Sequence, residues 1–283
     1  MISIPPIDWA LFKTWLDAQY SHSHAGTVYN FATQYYEAAF DASKAAQLKT
    51  MTTDKRRYVM NSLSAISKFT GNYNVWQDVR KQAGLKWQST DKMRIVRALL
   101  SQESNGAIDW LKAALPKLPV IYRVPLVFTA LSGMRAGEAC QSCGLISTLN
   151  QQGKLDEYYD RELCMLQHFK FPKMFLRNTK NAYISFISHR LIEVASRSVP
   201  TTTNAIQMAL KRNLCLPVQT KQLRKCFGTM LRKNLEREMI DLVQGRVDGS
   251  VFVAHYYRPL ITEIRDKVLS ATKNLEDELL SFM

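Results

Sequence analysis

The sequence predicts a mainly α-helical protein with a small antiparallel β-sheet, divided into a helical N-terminal domain and a longer, mixed C-terminal one. Three observations lead there. Apolar residues recur at helical spacing up to Gly84 and again from about Thr202. The runs Leu163 to Phe171 and Lys173 to Ile187 alternate instead, as strands do. Between the regions, Lys86-Trp87-Gln88-Ser89-Thr90-Asp91 reads as a linker leading into a new helix cap, which gives domains 1–88 and 92–283.

Taken in order, Trp9, Phe12, Trp15 and Leu16 form the apolar side of a first helix after Pro5-Pro6. Tyr29, Phe31, Tyr35, Tyr36 and Phe40 predict a second, following Gly26 and Thr27. A third begins near Thr53. It carries Met60, Leu63, Ile66 and Phe69 on one side, has Lys55, Arg56 and Arg57 near its start, and stops at Gly71. A short helix around Trp76 and Val79 closes the domain at Gly84. In the second domain an apolar run from Val124 to Leu131 leads into Ser132-Gly133. The last residues, Leu260 to Met283, carry Ile261, Ile264, Val268, Leu275 and Leu279 in an amphipathic pattern. That helix either folds back on its own domain or docks onto a neighbouring protomer.

The hydrophobic fraction of 46% supports real cores, which argues against wholesale disorder. A formal net charge of +14 points to a polyanionic partner: DNA, RNA or an acidic membrane. The sequence has no apolar stretch near the ~18 residues a spanning helix needs. The N-terminus also lacks the basic head and apolar middle of a signal peptide, so a soluble, intracellular protein is expected. Five scattered cysteines do not make a disulfide framework.

Four islands in the second domain carry candidate chemistry. In Ser132-Gly133-Met134-Arg135-Ala136-Gly137-Glu138, an apolar helix ends in a glycine turn. Arg135 then stands at the mouth of the next helix, beside backbone amides suited to a phosphate. Arg177-Asn178-Thr179-Lys180-Asn181 is turn-forming between β-branched and aromatic flanks, and presents Lys180 at a hairpin tip. After the N-cap candidate Thr220, Lys221 and Arg224 lie at i and i+3 on one face near the positive end of a helix. Leu223, Phe227, Met230 and Leu231 make a separate apolar face. Finally, Gly245 ends a helix before Arg246, Ser250 can cap another, and Tyr256 and Tyr257 follow ten and eleven residues after Arg246. Taken singly, each island also reads as ordinary surface or core. Cys140-x-x-Cys143, with Cys164 and His168, invites a zinc reading, but the pairs match no known finger spacing, so no metal is expected.

The order of these islands resembles the tyrosine recombinase (phage integrase) family, and is most similar to integrases of archaeal spindle-shaped viruses and related archaeal plasmids. The resemblance covers the second domain in detail; the first looks like that family's helical core-binding domain. It implies that Arg135 is the first catalytic arginine, supported by Glu138, and that Lys180 is the hairpin lysine. Lys221 stands where many members have His, Arg224 is the second catalytic arginine, and Arg246 stands where many bacterial members have His. Tyr256 is implied as the nucleophile, because the archaeal viral subgroup places its tyrosine ten residues on. Tyr257 is the alternative.

The function implied is a site-specific DNA recombinase that cleaves and rejoins DNA through a 3′-phosphotyrosyl link, integrating or excising a mobile element. Fixed guanidinium groups would stabilise the extra negative charge of the pentacoordinate transition state. Lys180 would protonate the departing 5′-oxygen, and Lys221 is the candidate base for the phenol. No cofactor, metal or ATP is called for. The expected partner is double-stranded DNA at attachment sites, bound by a homotetramer assembled from monomers or dimers in the cytoplasm, at the nucleoid. A type IB topoisomerase-like enzyme and a catalytically inactive DNA-binding relative are the alternatives.

Overall fold

The computed structural model describes residues 6–20, 22–87, 93, 96, 106–177, 181–214, 220–246 and 260–283. They form a mainly α-helical protein with one small three-stranded antiparallel sheet, and divide into two compact units, Met1–Leu100 and Ser101–Met283.

The N-terminal unit contains α1 (Trp9–Gln19), α2 (His22–Tyr35), α3 (Ala42–Gln47), α4 (Thr53–Phe69) and α5 (Tyr73–Gln82). Asp8 caps α1 by accepting from the Leu11 amide at 2.9 Å. Phe12 and Leu16 pack on Val28, Ala32 and Ile66, roofed by Trp9, Trp15, Tyr29 and Phe69. A second cluster joins Phe40, Leu48, Met60, Leu63, Trp76 and Val79, with Trp76 Nε1 donating to Ser64 Oγ at 2.9 Å. The sequence predicts α2 to start after Gly26, but Gly26 lies inside it. Burial of Ala25 and Val28 outweighs the modest cost of a glycine in a helix. At the start of α4, Lys55 and Arg57 are exposed, as a charged first turn should be.

In the C-terminal unit, α6 (Gly106–Ala114) is followed by α7 (Val120–Ser132), whose residues Val124 to Ser132 are all buried. Apolar side chains buried to this degree contribute roughly 1.5–3 kcal/mol each, which makes α7 the axis of the unit. Against it pack α8 (Ala136–Gln151), α10 (His189–Ser196), α12 (Thr220–Leu231) and α14 (Ile261–Leu280). α11 (Thr203–Asn213) leans on α8, and α13 (Arg237–Val243) completes the described helices of this region, apart from the single turn α9 (Pro172–Phe175).

The strand expectation needs correcting. Among the described residues, the runs Leu163 to Phe171 and Lys173 to Ile187 each hold one short strand and are not strand throughout. The sheet is β1 (Tyr159–Asp160), β2 (Met165–Leu166) and β3 (Ser185–Phe186), in the order β1-β2-β3. A 3-10 turn at His168–Lys170 and the single turn of α9 (Pro172–Phe175) interrupt the alternating pattern. Pro172 cannot donate to a ladder but suits a first helical position. His168 belongs to a buried polar chain, not to a pleat. Its Nδ1 meets Tyr158 Oη at 2.6 Å, Tyr158 Oη meets Ser142 Oγ at 2.9 Å, and its Nε2 meets Ser185 Oγ at 2.9 Å. This chain ties α8 to the sheet.

Burial pushes His168 down to about 3, so the folded protein keeps it neutral where an unfolded chain would protonate it near pH ~6.5. Its contribution is therefore complete above about pH 6.5 and is lost as pH falls toward the folded value, with a slope of up to about 1.4 kcal/mol per pH unit. The urea midpoint is expected to fall between about pH 6.5 and 5, above most carboxylate titrations. His168→Gln should flatten that slope; equal slopes in variant and wild type would refute the assignment.

α14 folds back on its own unit. Ile264, Val268 and Leu279 are fully buried. Arg123 Nη1 reaches the Phe282 carbonyl at 2.6 Å, and Arg265 Nη1 the Glu162 carbonyl at 2.9 Å. Ser188 with Glu276 and Arg190 with Asp277 tie it to α10, and Lys112 with Glu278 ties it to α6. Of the two roles open to this helix in the sequence, packing within the unit is the one observed. Cutting the chain after Pro259 is therefore expected to abolish the cooperative thermal melt of the C-terminal unit. A sharp melt retained near the wild-type temperature would contradict that.

Candidate active site

The site begins where α7 ends. Gly133 closes the helix in the left-handed region, with φ +65°. A Cβ there would lie 2.1 Å from the Phe227 ring, so only glycine lets α12 approach this closely. Leu223, Phe227 and Leu231 are the buried side of α12, as the sequence predicts, and Thr220 opens that helix as its first residue. One turn before Phe227, Arg224 then faces the end of α7, and its Nη1 donates to the Gly133 carbonyl at 2.8 Å.

A second contact draws in the end of α13. Arg224 Nη2 donates to the Gln244 carbonyl, and Gln244 Nε2 donates back to the Arg224 carbonyl at 3.1 Å. Gly245 is left-handed, with φ +66°, and its missing Cβ would sit 1.9 Å from the Asn181 carbonyl oxygen. The strand-side segment at Asn181 is thus pressed against the turn that presents Arg246.

Arg135 completes the patch. It is the N-cap residue of α8. Its backbone N–H donates to Glu138 Oε2 at 3.0 Å, its Nη1 to Glu138 Oε1 at 2.7 Å, and the same Nη1 lies 3.5 Å from the Asn181 carbonyl. Glu138 is buried, with 1% of its surface exposed. A carboxylate so enclosed must be paired, and Arg177 Nη2 supplies a second cation at 2.9 Å.

Arg135, Arg224 and Arg246 therefore share one neighbourhood. Arg224 contacts residues two positions before each of the other two, and Asn181 touches both Arg135 and Gly245. Burial, followed by repulsion from Arg135 and Arg246, lowers Arg224 to about 10, with Glu138 opposing the shift. It remains a cation at neutral pH, in surroundings that favour an added anion. Arg246 is exposed, and its Nη1 lies 3.7 Å from Asp241 Oδ1. Lys221, also exposed, lines a cleft of about 650 Å3 with Arg224, Lys225, Arg232, Arg237, Asp241 and Arg246. Six of the eleven lining residues are basic and one is acidic, so the cleft suits a polyanion.

Lys180 and Tyr256, like Tyr257, lie outside the described residues. Several neighbours escaped the sequence reading. Lys225 and Arg232 extend the Lys221 stripe at i+4 and i+11, a signal the 3.6-residue period carries. Arg177 and Gln244 had no such signal. At the cysteine pair, both residues are buried on α8, Thr203 Oγ1 lies 3.9 Å from Cys140 Sγ, and burial raises both thiols. His168 has both ring nitrogens engaged. Among the described residues no group of three His, Cys, Asp or Glu is placed to hold a metal ion, and no helix is long and apolar enough to cross a membrane.

A family model described as archaeal phage integrase matches residues 120–269. No curated protein and no solved structure matches the chain.

Proposed function

The chain belongs to the archaeal phage integrase family, and from that premise we propose that it is a tyrosine-type site-specific DNA recombinase acting through a covalent phosphotyrosyl intermediate. The observation that supports the reading is the proximity of Arg135, Arg224 and Arg246, the latter two lining one cationic cleft. In the reaction, the Tyr256 oxygen attacks phosphorus and the bond to the 5′-oxygen breaks. Lys180 gives its proton to that oxygen, and Lys221, in its neutral amine form, takes the phenol's proton. The three guanidinium groups hold the nonbridging oxygens while negative charge accumulates on them. Because the phosphotyrosyl ester keeps the bond energy, a 5′-hydroxyl from a second duplex reverses the step without ATP.

Double-stranded DNA at attachment sites is the proposed substrate, with four protomers pairing two duplexes. Binding through phosphates makes affinity fall steeply with salt. A nicked attachment-site duplex that loses its 5′-fragment on cleavage tests the reading. Wild type should leave a protein–DNA adduct stable to denaturing electrophoresis, and Tyr256→Phe none. An adduct that survives Tyr256→Phe but disappears in Tyr257→Phe moves the nucleophile by one residue. A wild-type chain that forms no adduct sinks the proposal.

A further inference from the structure

The buried Glu138 carboxylate holds a guanidinium that no motif assigns. Arg177 Nη2 and Arg135 Nη1 both donate to Glu138 Oε1, at 2.9 and 2.7 Å. Sharing one oxygen brings the two cations into the same small volume, and a single carboxylate charge cannot neutralise both. Arg224 also feels the Glu138 charge, so cations outnumber the one buried carboxylate and positive charge is left over.

Arg177 is tied to this patch by its main chain as well. Its N–H donates to Asn181 Oδ1 at 2.7 Å, and the Asn181 carbonyl is the group that meets Arg135 and lies against Gly245. Half of the Arg177 side chain is exposed, and among the described residues its other guanidinium N–H groups have no partner. Among the described residues the planar fork is thus held at one edge and free at the other, the geometry an arginine uses to bind phosphate.

We propose that Arg177 is a fourth phosphate ligand of the cleavage centre, an inference that rests on reading that centre as a phosphodiester site. Glu138 orients Arg177 as it orients Arg135, and the open edge of Arg177 donates to a nonbridging oxygen as charge builds there.

The test compares wild type, Arg177→Ala and Arg177→Lys in single-turnover cleavage of two nicked duplexes. One carries the natural scissile phosphate. The other carries a methylphosphonate, in which a methyl group replaces one nonbridging oxygen and removes the charge. Arg177→Ala should cleave the natural substrate roughly 10²-fold more slowly than wild type, the loss typical of one oxyanion donor. The deficit should shrink severalfold on the methylphosphonate, and Arg177→Lys should fall between the two. An equal deficit on both substrates would mean that Arg177 only props up the fold and would overturn the inference, as would full activity of Arg177→Ala. If wild type itself forms no adduct on the natural substrate, the phosphodiester reading fails and this inference falls with it. That outcome is told apart by needing no variant.

Discussion

Arg224→Ala is expected to lower the single-turnover rate of strand cleavage by about 10³-fold or more, the largest effect of any single side chain that the structure describes. Arg224 serves two purposes at once. It presents a positive charge to the cleft, and it clamps the Gly133 and Gln244 carbonyls, at the ends of α7 and α13. Removing it takes away the proposed transition-state donor and leaves two carbonyls without their partner, which adds a stability loss of about 1–3 kcal/mol. Arg224→Lys separates the two contributions. Lysine keeps the charge but has no planar fork to span both carbonyls. Its cleavage should remain at least about 10²-fold down even where chemical denaturation shows the fold largely restored. Cleavage by Arg224→Ala within tenfold of wild type, at saturating DNA, would remove Arg224 from the reaction.

Among single substitutions, the largest stability effect is expected at Glu138. Its carboxylate accepts from the Arg135 backbone and side chain and from Arg177 while almost wholly buried. A buried ion pair adds little net stability over a well-packed apolar alternative, but removing one partner is costly because the other is left uncompensated. Glu138→Ala should therefore destabilise the C-terminal unit by about 3–5 kcal/mol, which for a unit of this size lowers the melting temperature by roughly 10 °C. Glu138→Gln keeps the shape and an acceptor for the Arg135 N–H, so it should lose less stability. It should still slow cleavage, because two arginines lose the charge that aims them. A Glu138→Ala variant that melts within a degree or two of wild type would show that the two arginines pair elsewhere.

Both effects depend on contacts between distant parts of the chain, and that is where sequence and structure part. Read alone, the sequence determined what neighbours along the chain decide. The helical class follows from apolar residues three and four apart, as at Phe12 and Leu16 or at Leu223, Phe227 and Leu231. Gly133 and Gly245 mark helix ends because a left-handed turn suits glycine. The Lys221–Arg224 face follows from one helical step. Where local signals conflicted, the reading had the strands in the right runs but not their extent. Alternation from Leu163 to Ile187 indicated strands, but Pro172 and the buried hydrogen bonds of His168 break the run into turns.

Tertiary structure alone decided the rest. Arg224 meets Gly133 across 91 residues, Arg135 meets Asn181 across 46, and Arg177 reaches Glu138 across 39. No periodicity encodes such separations; the first exists because α12 packs on α7 through Phe227 and Gly133, and the other two because the segment at Arg177 and Asn181 lies against the start of α8. The direction of α14 was undecidable for the same reason. An amphipathic face specifies that something apolar must cover it, and only the assembled core supplies the surface that does.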